Sequence, residues 1–454
     1  MNQKLFGTSG IRGIVNQGLT LELAVETGLA VGTVANGGKI TIAHDTRTTA
    51  ITIENAVVSG LLAGGARVVK LGLIPTPVLA YATRQLRANT GVMITASHNP
   101  PQYNGIKLFN PNTIAYTEKQ EAKVEQLINK QQLRRQPYEK IGTTITADIT
   151  SHYVKALKKT SLNRKWRIIF DPGNGATCYI APMIFEALGC KVSTINAQPD
   201  GYFPARSPEP DFESVSDLCK AVRQLGADIG FAYDGDGDRM VAVSEEGKFA
   251  PLDQMLAAYA AYVVKSNKSG TVITTIEASV CVEEMVQRYG GRVLRTKVGD
   301  VAVAQEVKKR KAVFGGEPCG AWINPQFHYC PDGVLSSILL LEALESERKT
   351  LSEFVAEASC YSPKKKSIEC PNERKTEVMS KIRNTLPSIF PRAAELTDIN
   401  GLRLSLSDSW LLIRASGTEP LIRVKVEGRT SQEVERTMKK CTSLVTKAIK
   451  EAKR

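Results

Sequence analysis

The chain has 454 residues, 42% of them hydrophobic and 23% charged, which is typical of a folded protein with several domains. It has no apolar stretch of about 18 residues and no signal peptide, so we expect no membrane partner and a cytoplasmic location. The net charge is +13, but the basic residues form no arm with interleaved aromatic residues, so we expect an anionic small molecule and no nucleic acid. The nine cysteines include no C-x-x-C pair and indicate neither disulfides nor zinc.

Three segments repeat one pattern of strand, helix, glycine and strand. They span residues 39–69, 166–192 and 271–294. This pattern predicts βαβ units, because each strand is followed by a helix that ends at a glycine. We therefore predict three tandem α/β domains with mixed sheets.

The C-terminal part departs from this pattern. After a linker predicted around residues 361–371, the sequence predicts a helix over 373–385, strands over 401–406, 410–414 and 421–426, and a final helix over 431–452. This combination indicates a smaller α+β domain. The predicted domain boundaries are therefore 1–147, 148–247, 248–361 and 368–454.

Residues 6–13 read Phe-Gly-Thr-Ser-Gly-Ile-Arg-Gly. Exposed backbone N–H groups beside Arg12 predict an anion-binding nest. The alternative, a flexible N-terminus, fits the apolar residues of this segment less well.

Residues 95–100, Thr-Ala-Ser-His-Asn-Pro, follow an apolar strand at 91–94. Ser97, in a loop at the end of a strand, can carry a covalent phosphoryl group, although an ordinary Ser-Asn-Pro turn shows the same pattern. Residues 103–107 predict a tight turn that ends in Lys107. This lysine either handles a proton on a reacting hydroxyl or is a surface residue at a strand edge.

Asp234, Asp236 and Asp238 alternate with glycine after an apolar run. Carboxylates at this spacing can place three oxygens around one hard cation, and Mg²⁺ suits such a site. The competing interpretation is a plain surface turn, whereas an EF-hand is excluded because Arg239 stands where that loop needs glycine. Arg239 sets a cation beside the metal, where an anion can bind.

Two further loops combine polar groups with glycine. Residues 315–320, Gly-Gly-Glu-Pro-Cys-Gly, place Glu317 where its carboxylate can accept hydrogen bonds from sugar hydroxyls. Residues 414–420, Arg-Ala-Ser-Gly-Thr-Glu-Pro, lie between two predicted strands and favour a loop that binds phosphate.

In this order, the motifs resemble those of the α-D-phosphohexomutase superfamily, from residue 6 to residue 420. The resemblance implies that the four domains surround a central cleft and that Ser97 is the phosphoserine. It implies that one Mg²⁺ per chain is held by the phosphoserine, Asp234, Asp236 and Asp238. It implies that four residues act at the reacting phosphate: Arg12, Lys107, His98 and Arg239. It assigns substrate binding to Lys297, Glu317, Cys319, Arg414, Ser416, Gly417 and Thr418.

The resemblance also implies an isomerase that moves a phosphoryl group within a sugar phosphate, with glucosamine or glucose 1,6-bisphosphate as intermediate and activator. Residues 298–300, Val-Gly-Asp, preceded by Lys297, favour the phosphoglucosamine mutase subgroup. Cys319 and Ala321 depart from it, because serine and histidine are usual there. Phosphomannomutase/phosphoglucomutase and phosphopentomutase activities remain alternatives.

Two other classes of function stay open. The chain is a phosphosugar sensor if it does not turn over its ligand, or a phosphatase if water reaches the phosphoserine. We expect a monomer or a homodimer.

Overall fold

Four successive parts of the chain each build one β-sheet. The computed structural model describes residues 4–7, 10–158, 162–359, 361–391, 393, 395–406, 409–416 and 419–452. Within these residues, no helix is long and apolar enough to cross a bilayer. Three sheets are mixed and the fourth is antiparallel, which confirms the predicted fold class.

The first sheet has six strands and precedes the other three in the chain. Its strands are β1 (Ile11–Ile14), β2 (Lys39–His44), β3 (Arg67–Leu73), β4 (Thr90–Ile94), β5 (Tyr103–Phe109) and β6 (Thr143–Thr146). Its helices are α1 (Leu21–Ala35), α2 (Ala50–Ala63), α3 (Thr76–Gln85) and α4 (Glu118–Asn129). In space the strands run β1-β5-β4-β2-β3-β6, and β5 is antiparallel to both of its neighbours. All of β4 is buried, as expected of a central strand.

The second sheet has four strands. They are β7 (Arg167–Asp171), β8 (Lys191–Thr194), β9 (Ile229–Tyr233) and β10 (Met240–Ser244). The helices of this part are α5 (Thr150–Leu157), α6 (Ile180–Ala187) and α7 (Ser216–Leu225). β8 and β9 lie parallel to β7, and β10 returns antiparallel to β9.

The third sheet also has four strands. They are β11 (Thr271–Thr275), β12 (Arg292–Thr296), β13 (Phe314–Gly316) and β14 (Trp322–Ile323). The helices are α8 (Leu252–Ser266), α9 (Cys281–Gln287), α10 (Asp300–Arg310), α11 (Gly333–Glu347) and α12 (Leu351–Ala356). β12 and β13 lie parallel to β11, and β14 is antiparallel to β13. The three predicted βαβ units are therefore confirmed as β2-α2-β3, β7-α6-β8 and β11-α9-β12.

The fourth sheet has five antiparallel strands and two helices. The strands are β15 (Ser362–Glu369), β16 (Glu395–Asp398), β17 (Leu402–Ser405), β18 (Ser409–Ala415) and β19 (Leu421–Gly428). The helices are α13 (Lys375–Ile389) and α14 (Ser431–Glu451). The linker predicted over 361–371 is wrong, because β15 occupies most of it and pairs with β19 along its length. Its lysines suit an edge strand, where exposed charge is common.

The largest hydrophobic cluster draws residues from all three α/β domains and lies beside separate clusters within them, whereas the fourth domain has its own core. A small apolar cluster joins the fourth domain to the third and contains Ile276, Trp410 and Leu412. The domain boundaries predicted from the sequence stay a prediction.

Each α/β sheet contains one strand followed by a loop and an antiparallel neighbour. These connections are β4 to β5, β9 to β10 and β13 to β14. Their loops carry Ser97, the three aspartates and Glu317, respectively. The same structural position in three domains thus supplies three predicted parts of the site.

Candidate active site

Ser97 follows β4 and is 1% exposed. Its backbone is left-handed, with φ 51°, a conformation that costs a non-glycine residue on the order of 1 kcal/mol. Its backbone N–H donates to Thr95 Oγ1 at 2.8 Å, and its Oγ donates to Asp234 Oδ2 at 2.7 Å. The serine is therefore held at the predicted metal loop of the second domain.

Arg47 organises the loop that carries Ser97, and no sequence pattern points to it. Its guanidinium donates, at 2.5–2.8 Å, to the backbone carbonyl oxygens of Ser97, Asn99, Pro100 and Tyr103. Its Nε lies 3.2 Å from Asp45 Oδ2, and both side chains are fully buried. Arg47, which lies in the segment after β2, therefore stabilises the left-handed backbone at Ser97.

The loop between β9 and β10 lies directly against this serine. A Cβ at Gly235 would lie 2.6 Å from the carbonyl oxygen of Ser97, so only glycine fits there. The first domain also holds the loop, because Thr76 donates its backbone N–H to the Asp236 carbonyl at 2.9 Å and its hydroxyl to Asp236 Oδ2 at 2.5 Å. The alternation of aspartate and glycine thus reflects close packing between two domains.

Lys107 provides the positive charge beside the aspartates. Its Nζ lies 2.8 Å from Asp236 Oδ2 and 3.0 Å from Asp238 Oδ2. Burial alone would lower the pKa of Lys107, but Asp236 and Asp238 raise it, so this group is an ammonium. Burial acts to raise the pKa of Asp236, yet Lys107 lowers it on balance.

The structural setting of Lys107 differs from the predicted tight turn. Residues 103–107 lie in β5, and Lys107 is only 3% exposed. Gly105 is needed for another reason than a turn, because a Cβ there would lie 2.5 Å from the carbonyl oxygen of Thr95. Close strand packing, rather than chain reversal, explains the glycine.

Asp234, Asp236 and Asp238 fit a divalent cation. One carboxylate oxygen from each lies within 4.8 Å of those of the other two. Asp236 Oδ1 is buried without a hydrogen-bond partner, which leaves a ligand atom available. Burial, Asp238 and Asp236 raise the pKa of Asp234, the sign of a carboxylate crowded by like charges. A hard cation with oxygen ligands would relieve this repulsion.

Arg12 lies in β1, opposite Gly105 of β5. Its Nη1 donates to Asn99 Oδ1 at 2.8 Å, and its Nε is buried without a hydrogen-bond partner. The predicted nest is only partly within the described residues, because Thr8 and Ser9 lie outside them. Before that gap, the backbone N–H groups of residues 5 and 6 already donate to Glu125 Oε1, both at 2.7 Å.

His98 and Arg239 meet at Glu209, which the sequence did not predict. Arg239 Nη1 donates to Glu209 Oε1 at 2.8 Å and Oε2 at 3.0 Å, and its backbone N–H donates to Asp234 at 3.1 Å. His98 Nδ1 lies 3.3 Å from Ser97 Oγ and 3.7 Å from Glu209 Oε2. Burial and Arg239 lower the pKa of His98 to about 2, so its ring is neutral.

Glu317, in the loop between β13 and β14, is influenced by the charge of Asp300, the first residue of α10. Glu317 Oε2 accepts the backbone N–H of Gly299 at 3.0 Å. Burial, followed by the charge of Asp300, raises the pKa of Glu317 to about 7. Burial also raises the pKa of Asp300, while Lys107 opposes that rise. The charge of Asp300 thus acts on both Glu317 and Lys107.

Cys319 and Lys297 differ in their surroundings. Burial raises the pKa of the Cys319 thiol to about 12, so it is a neutral, weak hydrogen-bond partner. Cys319 lines a cleft of about 450 Å³ together with Glu317 and Arg414. Lys297 is 43% exposed and pairs with Glu118 at the start of α4. The structure thus brings Cys319 to the cleft and joins Lys297 to the first domain.

The fourth domain contributes the loop between β18 and β19. Arg414 Nη2 lies 2.6 Å from Glu277 Oε1 of the third domain. Ser416 Oγ accepts the backbone N–H of Glu419 at 3.2 Å. Lys375, which no motif identified, donates to the carbonyl oxygens of Ser416, at 2.6 Å, and Glu419. The predicted phosphate-binding residues Gly417 and Thr418 lie outside the described residues.

The chain matches the family models for all four domains of phosphoglucomutase/phosphomannomutase. Domains I, II and III, each described as alpha/beta/alpha, match residues 3–135, 150–247 and 251–361, and the C-terminal domain matches residues 367–442. The matches follow the order of the four sheets.

Relatives of similar length bear a common name. A protein named probable phosphoglucosamine mutase from Pyrococcus abyssi is 44% identical over 450 residues, which cover 99% of each chain. Another of the same name from Methanothermobacter thermautotrophicus is 43% identical over 433 residues, 95% of each chain.

Solved structures show the same fold. A phosphoglucomutase/phosphomannomutase family protein from Burkholderia thailandensis has a TM-score of 0.89 at 26% identity, covering 98% of this chain and 97% of the other. The Aspergillus fumigatus N-acetylphosphoglucosamine mutase, solved with GlcNAc-6P and magnesium, has a TM-score of 0.62 at 15% identity, covering 99% and 96%.

Proposed function

The chain belongs to the phosphoglucomutase/phosphomannomutase family, and we propose that within it the chain is a phosphoglucosamine mutase. The reaction interconverts glucosamine 6-phosphate and glucosamine 1-phosphate. The observation that carries this proposal is a buried serine, Ser97, hydrogen-bonded to an aspartate of a three-carboxylate cluster with Lys107 beside it. Phosphoryl transfer needs such a set, because positioning and charge stabilisation provide most of its catalysis.

In the proposed reaction, Ser97 carries a phosphoryl group. A free sugar hydroxyl attacks the phosphorus, the bond from phosphorus to Ser97 Oγ breaks, and the hydroxyl proton is balanced by the proton that Oγ gains. The product is a 1,6-bisphosphate. After it turns over in the cleft, Oγ attacks the other phosphorus, loses its proton and regains a phosphoryl group, while the vacated sugar oxygen gains a proton.

The residues around Ser97 have distinct roles in this proposal. Lys107 and Arg12 stabilise the negative charge that spreads over the phosphoryl oxygens during transfer. Arg239 adds a third cation next to the aspartates. His98, whose ring is neutral, acts as a hydrogen-bonding group rather than as a cation.

One Mg²⁺ would be held by Asp234, Asp236 and Asp238 together with an oxygen of the phosphoserine, and would neutralise charge on the phosphoryl group. The unpartnered Oδ1 of Asp236 supports this assignment.

The phosphosugar is recognised at its other end by Arg414, Ser416, Gly417 and Thr418. Glu317 accepts hydrogen bonds from the sugar hydroxyls, with Cys319 and Lys297 nearby along the chain. The names of the relatives and the Val-Gly-Asp sequence at 298–300 support an amino sugar. Glucosamine or glucose 1,6-bisphosphate serves as activator, and the oligomeric state, monomer or homodimer, and the cytoplasmic location stay predictions.

The test of the substrate compares kcat/KM for the phosphates of glucosamine, glucose and mannose. The assays contain Mg²⁺ and a catalytic amount of the matching bisphosphate. We expect a preference of about tenfold or more for glucosamine phosphate, equivalent to roughly 1.4 kcal/mol in the transition state. A preference for glucose or mannose phosphate would overturn the choice of sugar and leave the phosphoryl chemistry in place.

The test of the mechanism replaces Ser97 by alanine. We expect a loss of at least about 10³-fold in kcat, because the phosphoryl carrier is gone, with unchanged thermal unfolding. Full mutase activity in this variant would sink the phosphoserine mechanism. Steady release of inorganic phosphate by the unmodified enzyme, at the rate of sugar turnover, would identify a phosphatase instead.

A further inference from the structure

The fourth domain contacts the segment that follows β11 in the third domain. Arg403 donates to the backbone carbonyl oxygens of Ile276, at 2.8 Å, and Ala278, at 3.0 Å. Lys425 donates to the carbonyl oxygen of Glu277 at 2.8 Å. These hydrogen bonds use only backbone oxygens of the segment. The docking of the two domains therefore includes contacts that do not use the Glu277 side chain.

The Glu277 carboxylate contacts Arg414 instead. Arg414 Nη2 lies 2.6 Å from Glu277 Oε1, and the side chains are 15% and 33% exposed. Both residues line the cleft of about 450 Å³ that Glu317 also lines. Arg414 Nε is buried without a hydrogen-bond partner, so the guanidinium keeps a donor that this carboxylate does not use.

Two neighbouring cations on the same sheet, Arg423 and Lys425, have their own partners. Arg423, the cross-strand neighbour of Arg414, pairs with Glu419. Lys425 lies 3.7 Å from Asp253 and also donates to the backbone of the third domain. Arg414 and Lys425 thus both pair with carboxylates of the third domain, and the Arg414 pair is the closer, at 2.6 Å against 3.7 Å.

We propose that Glu277 is a positioning residue, which occupies Arg414 in place of the substrate phosphate and is displaced when that phosphate binds. The inference rests on the proposed function in one respect, the assignment of Arg414 to the non-reacting phosphate. A carboxylate and a phosphate both present paired oxygens to a guanidinium. The phosphate displaces the carboxylate because it carries more negative charge and an additional oxygen.

This exchange has two consequences for the reaction. Each phosphate that enters must displace Glu277, which weakens binding. When a phosphate leaves, Glu277 pairs with Arg414 again, so the guanidinium is not left without a partner. A bisphosphate that must release one phosphate from Arg414 and present the other benefits from such a replaceable partner.

The experiment measures the dissociation constant of glucosamine 6-phosphate by calorimetry in a Ser97→Ala background, which prevents turnover. Glu277→Gln keeps the shape of the side chain and removes its charge. We expect binding about three- to fivefold tighter, the size of a partly exposed ion pair. In the enzyme with Ser97 intact, the same substitution lowers KM by a similar factor without raising kcat. Weaker or unchanged binding would overturn the inference.

Two further variants separate the exchange from general electrostatics. Asp253→Asn removes a negative charge from the same cleft but not from Arg414, and we expect it to leave the dissociation constant unchanged. An equal gain in this control would overturn the exchange. In an Arg414→Met background, Glu277→Gln should give no gain, and a persisting gain would also contradict it. If the intact enzyme turns over no phosphosugar, the proposed function fails, while these binding results still decide the role of Glu277.

Discussion

Named after their proposed roles, the reacting end at Ser97 and the phosphate-holding end at Arg414 hold their charged groups in different ways. At the reacting end, Ser97, Asp234 and Asp236 are at most 1% exposed, and each is hydrogen-bonded across a domain boundary or within the loop. At the phosphate-holding end, Arg414 and Glu277 are 15% and 33% exposed and share one ion pair. The groups proposed to transfer the phosphoryl group are thus held by buried contacts, whereas Arg414, proposed to bind the other phosphate, has a partly exposed partner that we propose is exchangeable.

The difference follows from what each end must do. Phosphoryl transfer depends on atoms held to within fractions of an ångström, so buried and hydrogen-bonded side chains are suitable. Binding at the other end is repeated within one catalytic cycle, because the two phosphates of the intermediate exchange places. A partly exposed ion pair contributes a net free energy of about 1 kcal/mol or less, so another anion readily replaces its carboxylate.

The largest expected effect comes from releasing the Ser97 loop. Replacing Arg47 by alanine removes the donors to four loop carbonyls and leaves Asp45 buried without its cation. Breaking a buried ion pair in this way costs about 3–5 kcal/mol. We expect a loss of that size in the free energy of unfolding, measured by denaturant titration, together with a large loss of kcat.

A surface pair provides the control for this prediction. Arg167 is 56% exposed and pairs with Asp228. Arg167→Ala should change the free energy of unfolding by less than about 1 kcal/mol, because solvent screens such pairs. Equal losses in the two variants would contradict the view that the reacting end is fixed by burial.

The parts of the site that could be predicted are those coded by short, local sequences. The aspartates, glycines and hydroxyls of the loops lie within a few residues of one another, so their chemistry can be interpreted before their positions are known. The βαβ units were predictable for the same reason, since each depends on local periodicity and a glycine at the end of a helix.

The residues that could not be predicted act on partners far away in the sequence. Arg47 and Lys375 bind backbone carbonyls, which leave no side-chain pattern to detect. Glu209 and Glu277 become meaningful only when the fold brings them to an arginine. β15 was mistaken for a linker because a run of lysines occurs in both exposed edge strands and loops.

Glu317 lines the same cleft as Arg414, and its buried carboxyl group makes the stability of the chain depend on pH. Burial raises its pKa from 4.5 to about 7, so the folded chain binds this proton more tightly than the unfolded chain. Its contribution to stability is therefore complete below about pH 4.5 and is lost as the pH rises through 7, by up to about 3 kcal/mol. Glu317→Gln should lose less stability than the unmodified protein between pH 5 and 8.

Thermal unfolding of both proteins at several pH values, at one Mg²⁺ concentration, measures this difference. The other ionisable groups are the same in both proteins, so the difference between the two curves isolates Glu317. Parallel curves would mean that burial does not raise the pKa of Glu317.

The smallest effect is expected at the phosphate-holding end, from Lys375→Met. Methionine keeps the length of the side chain but cannot donate to the carbonyl oxygens of Ser416 and Glu419. The loop between β18 and β19 therefore loses the two hydrogen bonds that it receives from α13. Because the proposed role of this loop is to hold phosphate in both the ground state and the transition state, we expect KM to rise about tenfold with kcat nearly unchanged. Lys381→Met, on the same helix but in an exposed pair with Glu377, is the matched control and should leave KM unchanged. A fall in kcat without a rise in KM would mean that Lys375 acts on phosphoryl transfer and not on phosphate binding. That result would contradict the difference between the reacting end and the phosphate-holding end.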